Sequence, residues 1–351
     1  MQQLQRYLTL YLTNPIRDSI DWETLARITR YGLTSVEPGY DSVRSVIGIR
    51  RFIPVKYMVF DSGGFIELTR GIKVRVYDTI KLYKYINYNE NDLLIELDRI
   101  PLYSEDVNTR IKKIVENINN YIVMRREFKD KVLYVIHGWT REELELAINQ
   151  HIGYDSKVAV GSYYVTSILN TAPKKTVFKR FSYTMELVRK HYKWILVLGG
   201  SGPNMIHIAF YAGASAVDGV AWRNVARRKE IIIPGVGVRA LNNSKRKKFT
   251  VEDLIVLKDW WNHRLNPFKD LKVEEFLKLA LRDFKAIALW NAAALKLEER
   301  IANEYTNDPD RYYKYLMQRW ENNSFWRNVL KIVRSSYVQS KLTVYLKSFL
   351  R

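Results

Sequence analysis

Eight short runs of apolar and β-branched residues recur between Leu8 and Val217. They are Leu8 to Leu12, Leu33 to Val36, Val55 to Phe60, Leu93 to Leu97, Val132 to Ile136, Val158 to Val160, Trp194 to Leu198 and Ser215 to Val217. Runs of this length, bounded by Gly, Pro, Asn or Asp, predict strands. Between them the period changes. Val107, Ile111, Ile114, Val115, Ile118 and Ile122 recur at helical spacing. Start signals accompany the helices. Asp21 precedes a helix through Leu25, Ala26 and Ile28 that Gly32 stops. Ser104 precedes the helix containing Val107, Thr140 and Glu143 form a capping box, and Pro203 suits a first helical turn. A further helix is expected from Tyr183 to His191, and the stretch from Glu37 to Arg51, opened by Pro38-Gly39, reads as loop.

Strands alternating with helices imply parallel β/α units, and eight strands are the number that closes a (β/α)8 barrel. An open doubly wound sheet shares the local pattern and is the alternative. The position of the unusual residues favours the barrel. Asp61, Asp98, His137, Gly161, Gly199 and Asp218 fall at or just past the ends of different strands, on the face where a barrel's βα loops converge. After Leu241 the pattern changes. Asn242 to Lys248 is polar and basic, Thr250 with Asp253 starts a helix, and Val273 to Glu304 is one long helical stretch. The tail from Lys331 to Arg351 carries Lys331, Arg334, Lys341, Lys347 and Arg351 and no acidic residue. We therefore expect a barrel domain over 1–241 and a helical, basic extension over 242–351, packed on the barrel.

Composition narrows the function. Lys+Arg minus Asp+Glu is 57 − 37, or +20, and 47% of the residues are hydrophobic. A globular chain this basic suits a polyanion, nucleic acid before a membrane surface. There is no cysteine, which removes disulfides, thiolate metal sites and cysteine nucleophiles together. The N-terminal residues lack the apolar core of a signal peptide, and no apolar run is long enough to span a bilayer. A cytoplasmic protein is expected.

The candidate chemistry centres on Phe60-Asp61-Ser62-Gly63-Gly64-Phe65, with Ala216-Val217-Asp218-Gly219 far downstream. Each places a carboxylate at the end of a buried strand, and the glycines let the first turn tighten and approach a ligand. Taken singly, Asp61, Asp98 or Asp218 is an ordinary turn or capping residue. All three on one barrel face suit double displacement at a sugar carbon, one carboxylate attacking and another handling protons. Asp98 would then receive N–H donors from a bound base, and Phe65 would stack on it.

At these residues the chain resembles the tRNA-guanine transglycosylases. Asp61-Ser62-Gly63-Gly64-Phe65 resembles that family's DSGGF motif, and the likeness continues in order. It runs through Leu97-Asp98-Arg99-Ile100-Pro101, Ile136-His137-Gly138, Val160-Gly161-Ser162, Leu198-Gly199-Gly200-Ser201-Gly202-Pro203 and Val217-Asp218-Gly219 with Arg223-Asn224, with a weaker echo at Ala286 to Asn291. The family are (β/α)8-barrel enzymes that exchange guanine in a polynucleotide for a 7-deazaguanine. The resemblance implies that Asp218 attacks C1′ and expels guanine, and that Asp61 takes the ring proton of an incoming base such as preQ0. Substrate binding is implied for Asp98, His137, Gly138, Gly161, Ser162, Leu198, Gly199, Ser62, Gly63 and Phe65. Nucleic-acid contacts are expected from Arg223, Arg227 and Arg228 and from Lys245, Arg246, Lys247 and Lys248.

The departures set further expectations. The family's structural zinc is held by three Cys and one His; here there is no Cys, and Trp290-Asn291 stands where the family tends to have His-Asn. No zinc, other metal or cofactor is expected, with apolar packing of Trp260, Trp261 and Trp290 in place of the zinc. The five histidines, His137, His151, His191, His207 and His263, show no metal-ligand spacing. Ile66 and His137 replace residues that are often Gln in the family. The chain shows no added RNA-binding domain of the archaeal tRNA enzymes' kind, which points to the DpdA-type branch that modifies DNA. DNA is the favoured polymer and tRNA the alternative, with a free 7-deazaguanine as the second substrate, no membrane partner, and a homodimer implied by the family. Two other readings stand beside this one: a non-catalytic nucleic-acid-binding subunit, and a barrel enzyme that holds a phosphorylated small molecule at the Gly199 to Pro203 turn.

Overall fold

The computed structural model describes residues 6–11, 20–35, 57–86, 88–153, 155–161, 172–242 and 247–349. Its parallel strands are β1 (Tyr7–Tyr11), β2 (Tyr31–Ser35), β3 (Tyr57–Asp61), β4 (Leu93–Ile95), β5 in two pieces (Val132–Leu133 and Val135–Ile136), β6 (Lys157–Val160), β7 (Trp194–Val197) and β8 (Ala216–Gly219). From the first piece of β5 the pairing passes through β4, β3, β2, β1, β8, β7 and β6 to the second piece of β5. Only Tyr134 separates the two pieces, so the nine paired segments are eight strands and the sheet closes as a (β/α)8 barrel. The break has a local cause: the Val135 N–H donates to the Glu96 side chain at 2.8 Å, while the Tyr134 carbonyl accepts from Ala159 of β6 at 2.9 Å.

Side chains alternate between the two faces of a strand, and this decides what fills the barrel. Leu33, Val59, Ile95, Leu133, Val135, Ala159, Leu196 and Ala216 form one interior cluster. Below it, towards the strand N-termini, Tyr7, Tyr31 and Tyr57 follow one another with ring centroids 4.6 and 5.2 Å apart. These inward-facing tyrosines explain why β1 and β2 begin earlier than their apolar runs. One alternation above the cluster, the inward positions are Ser35, Asp61, His137, Gly161, Leu198 and Asp218. The barrel thus changes from apolar filling to polar chemistry within one layer.

The outer elements are α1 (Trp22–Ile28), α2 (Gly64–Arg70), α3 (Val76–Tyr85), α4 (Val107–Phe128), α5 (Arg141–Asn149), α6 (Lys174–Val188), α7 (Pro203–Tyr211) and α8 (Ala221–Arg227). Asp21 caps α1 as expected, but the helix stops at Ile28 because Gly32 already belongs to β2. Asp106 caps α4 rather than Ser104, by accepting the Thr109 N–H. Thr140 caps α5, while the Glu143 carboxylate turns to the Trp139 N–H and to Arg110. The expected Tyr183-to-His191 helix is α6, which starts at Lys174 and ends at Val188. The expected loop from Glu37 to Arg51 lies outside the described residues.

An antiparallel hairpin, β9 (Glu230–Ile233) and β10 (Gly237–Ala240), follows α8. Then come α9 (Val251–Asp259), α10 (Val273–Arg282), α11 (Phe284–Asn303), α12 (Pro309–Arg319) and α13 (Ser324–Phe349). Thr250 and Asp253 form the capping box of α9. The stretch from Val273 to Glu304 is two helices, divided at Asp283, whose carboxylate accepts the Lys285 N–H. The extension packs on the barrel through α11, which touches α1, β1, α7, α8 and β9. Trp290 of α11 stacks on Trp261 at 5.5 Å, sits 5.7 Å from Phe276 and donates its indole N–H to Ile232 at 2.8 Å. Deeper, the Arg319 guanidinium, the His207 ring and the Gly235 N–H all meet the Glu298 carboxylate. Burial alone would raise that carboxyl, but Arg319 outweighs it and holds it below the usual range.

Candidate active site

The turn after β3 is built around Asp98. Gly63 adopts φ 79°, a left-handed conformation that favours glycine. Gly64 is pressed against the end of β4: a Cβ there would lie 2.3 Å from the Asp98 carbonyl oxygen and 2.6 Å from its Oδ1. The glycine pair therefore lets two strand ends approach each other, a use of the motif that its sequence alone leaves open. Ser62 is fully buried, and its hydroxyl donates to the Glu96 carbonyl at 2.7 Å, tying the same two ends together. Asp61 closes β3, and its Oδ2 accepts the Ser35 hydroxyl at 2.7 Å.

Asp98 sits in a backbone segment clamped from outside. Asn120 of α4 donates to the Leu97 carbonyl at 2.8 Å. Asn117 accepts the Arg99 N–H at 2.5 Å and donates to the Arg99 carbonyl at 3.0 Å. The buried Arg99 guanidinium reaches Glu67 at 2.6 Å, Glu116 at 2.8 Å and the Val74 carbonyl at 2.7 Å. The Tyr83 hydroxyl lies 2.8 Å from both the Phe60 and the Ile95 carbonyls, pinning β3 to β4. Held in this way, Asp98 meets His137, with 2.7 Å between Oδ2 and Nε2. The His137 ring lies over Gly161, where a Cβ would come within 2.1 Å of it.

Asp218 is 93% buried on β8 and accepts the Gly199 N–H at 2.6 Å. Gly199 is left-handed at φ 74°, which aims that N–H inwards. Burial, reinforced by the negative charge of Asp61, pushes the Asp218 carboxyl up to about 7, while the Gly199 bond acts the other way. Gly219 is needed for a similar reason to Gly64, because a Cβ would come 2.2 Å from the Ser201 Oγ. Glu96, one residue past β4, is a further buried carboxyl. Burial raises it well above the usual range, and its Oε2 has no hydrogen-bond partner among the described residues.

The structure therefore brings Asp61, Asp98, His137, Gly161, Leu198, Gly199 and Asp218 to one rim. Phe65 is exposed in the first turn of α2 and Gly138 is packed against Leu144; Ser162 lies outside the described residues. The expected basic contacts are not gathered here. Arg223 is buried with its guanidinium 5.8 Å from the Trp222 ring. Arg227 and Arg228 lie at the end of α8 that leads away from this face, and Arg228 pairs with Glu230 at 2.8 Å. Lys247 and Lys248 are exposed beside the end of β10, and Lys245 and Arg246 lie outside the described residues. Sequence reasoning missed Ser35, Tyr83, Glu96, Asn117 and Asn120. Only Ser35 carried a usable signal, as a polar residue on an inward position at a strand end.

Of the other histidines, His151 is buried beside the Tyr192 hydroxyl and His207 lies in the Glu298 cluster. Burial lowers both to about 4, with the positive charge of Arg125 or Arg319 adding to it. Among the described residues no group of three His, Asp or Glu stands ready to hold a metal ion, and no helix is long and apolar enough to cross a membrane.

Fold and site together define a class: a (β/α)8 barrel with carboxylates at or just past the C-terminal ends of three strands, one of them paired with a histidine. No protein-family model matches the chain. It is similar to a protein of Sulfolobus islandicus rod-shaped virus 1 described as uncharacterized protein 306, at 24% identity over 247 residues, covering 70% of this chain and 72% of that one.

Proposed function

We propose that this protein is a guanine transglycosylase that exchanges guanine in a polynucleotide, DNA in the first instance, for a 7-deazaguanine such as preQ0. The observation that carries the reading is that Asp61 and Asp218 stand at inward positions of the same layer, at the C-terminal ends of β3 and β8, where the negative charge of Asp61 adds to the effect of burial on the Asp218 carboxyl. One is buried and fixed by a backbone N–H; the other is held by a serine hydroxyl. Such an unequal pair suits unequal roles.

In this reading an Asp218 oxygen attacks C1′ of the target nucleoside. The C1′–N9 bond breaks, its electron pair leaves with guanine, and guanine takes up a proton. The ring nitrogen of the incoming deazaguanine then attacks C1′, loses its proton to Asp61, and the C1′–O bond to Asp218 breaks. Two inversions retain the sugar configuration. The Gly199 N–H orients the nucleophile and stabilises its ionised form. The Asp98–His137 pair reads the polar edge of the base, with Leu198 and Phe65 flanking its faces. A guanine in a duplex must first leave the stack, at a cost of a few kcal/mol.

Base exchange tests this. The protein is incubated with radiolabelled guanine and, separately, duplex DNA, single-stranded DNA and unmodified tRNA. Label is expected in DNA. Label in tRNA alone would transfer the same chemistry to the other polymer. No label in any polymer, with preQ0 also failing to enter, would remove the reading.

A further inference from the structure

The chemistry at the rim leaves one neighbouring surface without a use. A small apolar pocket opens beside the site, lined by Gly161, Leu198 and Gly199 from the barrel and by Val177 and Phe178 from α6. From there an aromatic strip leads outwards. The Phe178 ring lies 5.6 Å from Phe325 and 5.7 Å from Trp326, the first aromatic residues of α13, and those two lie 5.2 Å apart. Phe325 is 40% exposed. The Lys174 Nζ stands 5.9 Å from its ring centre, and Lys175 and Lys179 are exposed on the same helix. Neither α6 nor α13 has an acidic residue in its first turn. Lysines at the start of α6 oppose its dipole, so helix stability does not account for them.

We propose that Phe325 and Trp326, with Lys174, Lys175 and Lys179, form a platform for the single strand of DNA beside the extruded guanine. An unstacked neighbouring base lies on Phe325, and the lysines meet its phosphates. Aromatic faces interleaved with cations are the general means of holding single strands, and continuity with the pocket at Gly161 and Gly199 places this one next to the reacting base. The proposal rests on the transglycosylase reading for its strand. It also gives the C-terminal extension a role that its packing alone does not.

The test is binding, which needs no turnover. A fluorescein-labelled single-stranded oligodeoxynucleotide is titrated into the full chain across a salt series, with RNA of the same sequence as comparator. Phe325→Ala is expected to weaken DNA binding about 10-fold with its salt dependence intact, and Phe325→Trp to restore it. Lys174→Ala with Lys175→Ala is expected to weaken binding and flatten the log–log salt slope by about 1.4. Thermal melts of each variant check the fold. The readout is binding without turnover, so the platform stands or falls apart from catalysis. Wild-type affinity in Phe325→Ala and an unchanged slope in the lysine variant would overturn the proposal even if base exchange is found. So would a wild-type chain that binds no single-stranded DNA at low salt, or one that prefers the RNA.

Discussion

Asp218 shows how one residue links stability to reactivity. Its carboxyl titrates near 7 in the folded chain against an ordinary 3.8. Between those values the native state holds a proton that the unfolded chain has lost, so this group makes stability fall as pH rises from about 4 to about 7, with no further loss above. Asp218→Asn removes the penalty. The variant should be more stable than the wild type by about 1–4 kcal/mol at pH 8 and no more stable at pH 4. Denaturant unfolding at pH 4, 6 and 8 measures the gap; a gap independent of pH would mean that the carboxyl is not raised. In the proposed reaction the same proton must leave before Asp218 can attack, so exchange should speed up through pH 7. Sequence made Asp61 and Asp218 legible because carboxylates at the ends of apolar runs stand out. It could not assign Gly64, whose close contact is with Asp98 beyond the neighbouring strand, and it passed over Ser35, a polar residue at an inward strand-end position.

Among the elements, α4 does more than cover the sheet. Its helical spacing was readable, but Val107 and Val115 of the expected apolar series are exposed, while Asn117 and Asn120 lie on the buried side and face the Leu97–Arg99 backbone. Two polar residues in an amphipathic helix read as surface until their partners are known. Asn117→Ala should leave both Arg99 backbone groups unpaired in a buried place, at about 1–3 kcal/mol. It should also loosen Asp98. A fall in unfolding free energy of that size, together with weaker binding of free guanine by calorimetry, is the expected outcome; unchanged base affinity would detach the clamp from the site. The strands were legible to within a residue or two because apolar runs ending in Gly or Asp mark them. The start of α6 was not, because Lys174 and Lys175 supply no apolar period. The β9–β10 hairpin was missed although Ile231 to Ile233 and Gly235 carry strand and turn signals.

For the molecule as a whole, a buried ionic cluster ties the extension to the barrel. Glu298, Arg319, His207 and Gly235 meet in the interior between α11, α12, α7 and the hairpin. A buried pair of this kind is costly to break from one side. The net charge of +20 raises the expectation of a polyanionic partner but gives no location for one. Charge counts carry no direction: Arg223 is buried, and Arg227, Arg228, Lys247 and Lys248 stand away from the strand-end face. The most direct measurement of the central claim is the covalent intermediate. A labelled oligonucleotide is incubated with protein without free base, quenched in denaturant and digested, and the labelled peptide is sequenced. Sugar-linked label on Asp218, and none in Asp218→Asn, is the expected result. Label on any other residue, or undiminished base exchange by Asp218→Asn, would contradict it.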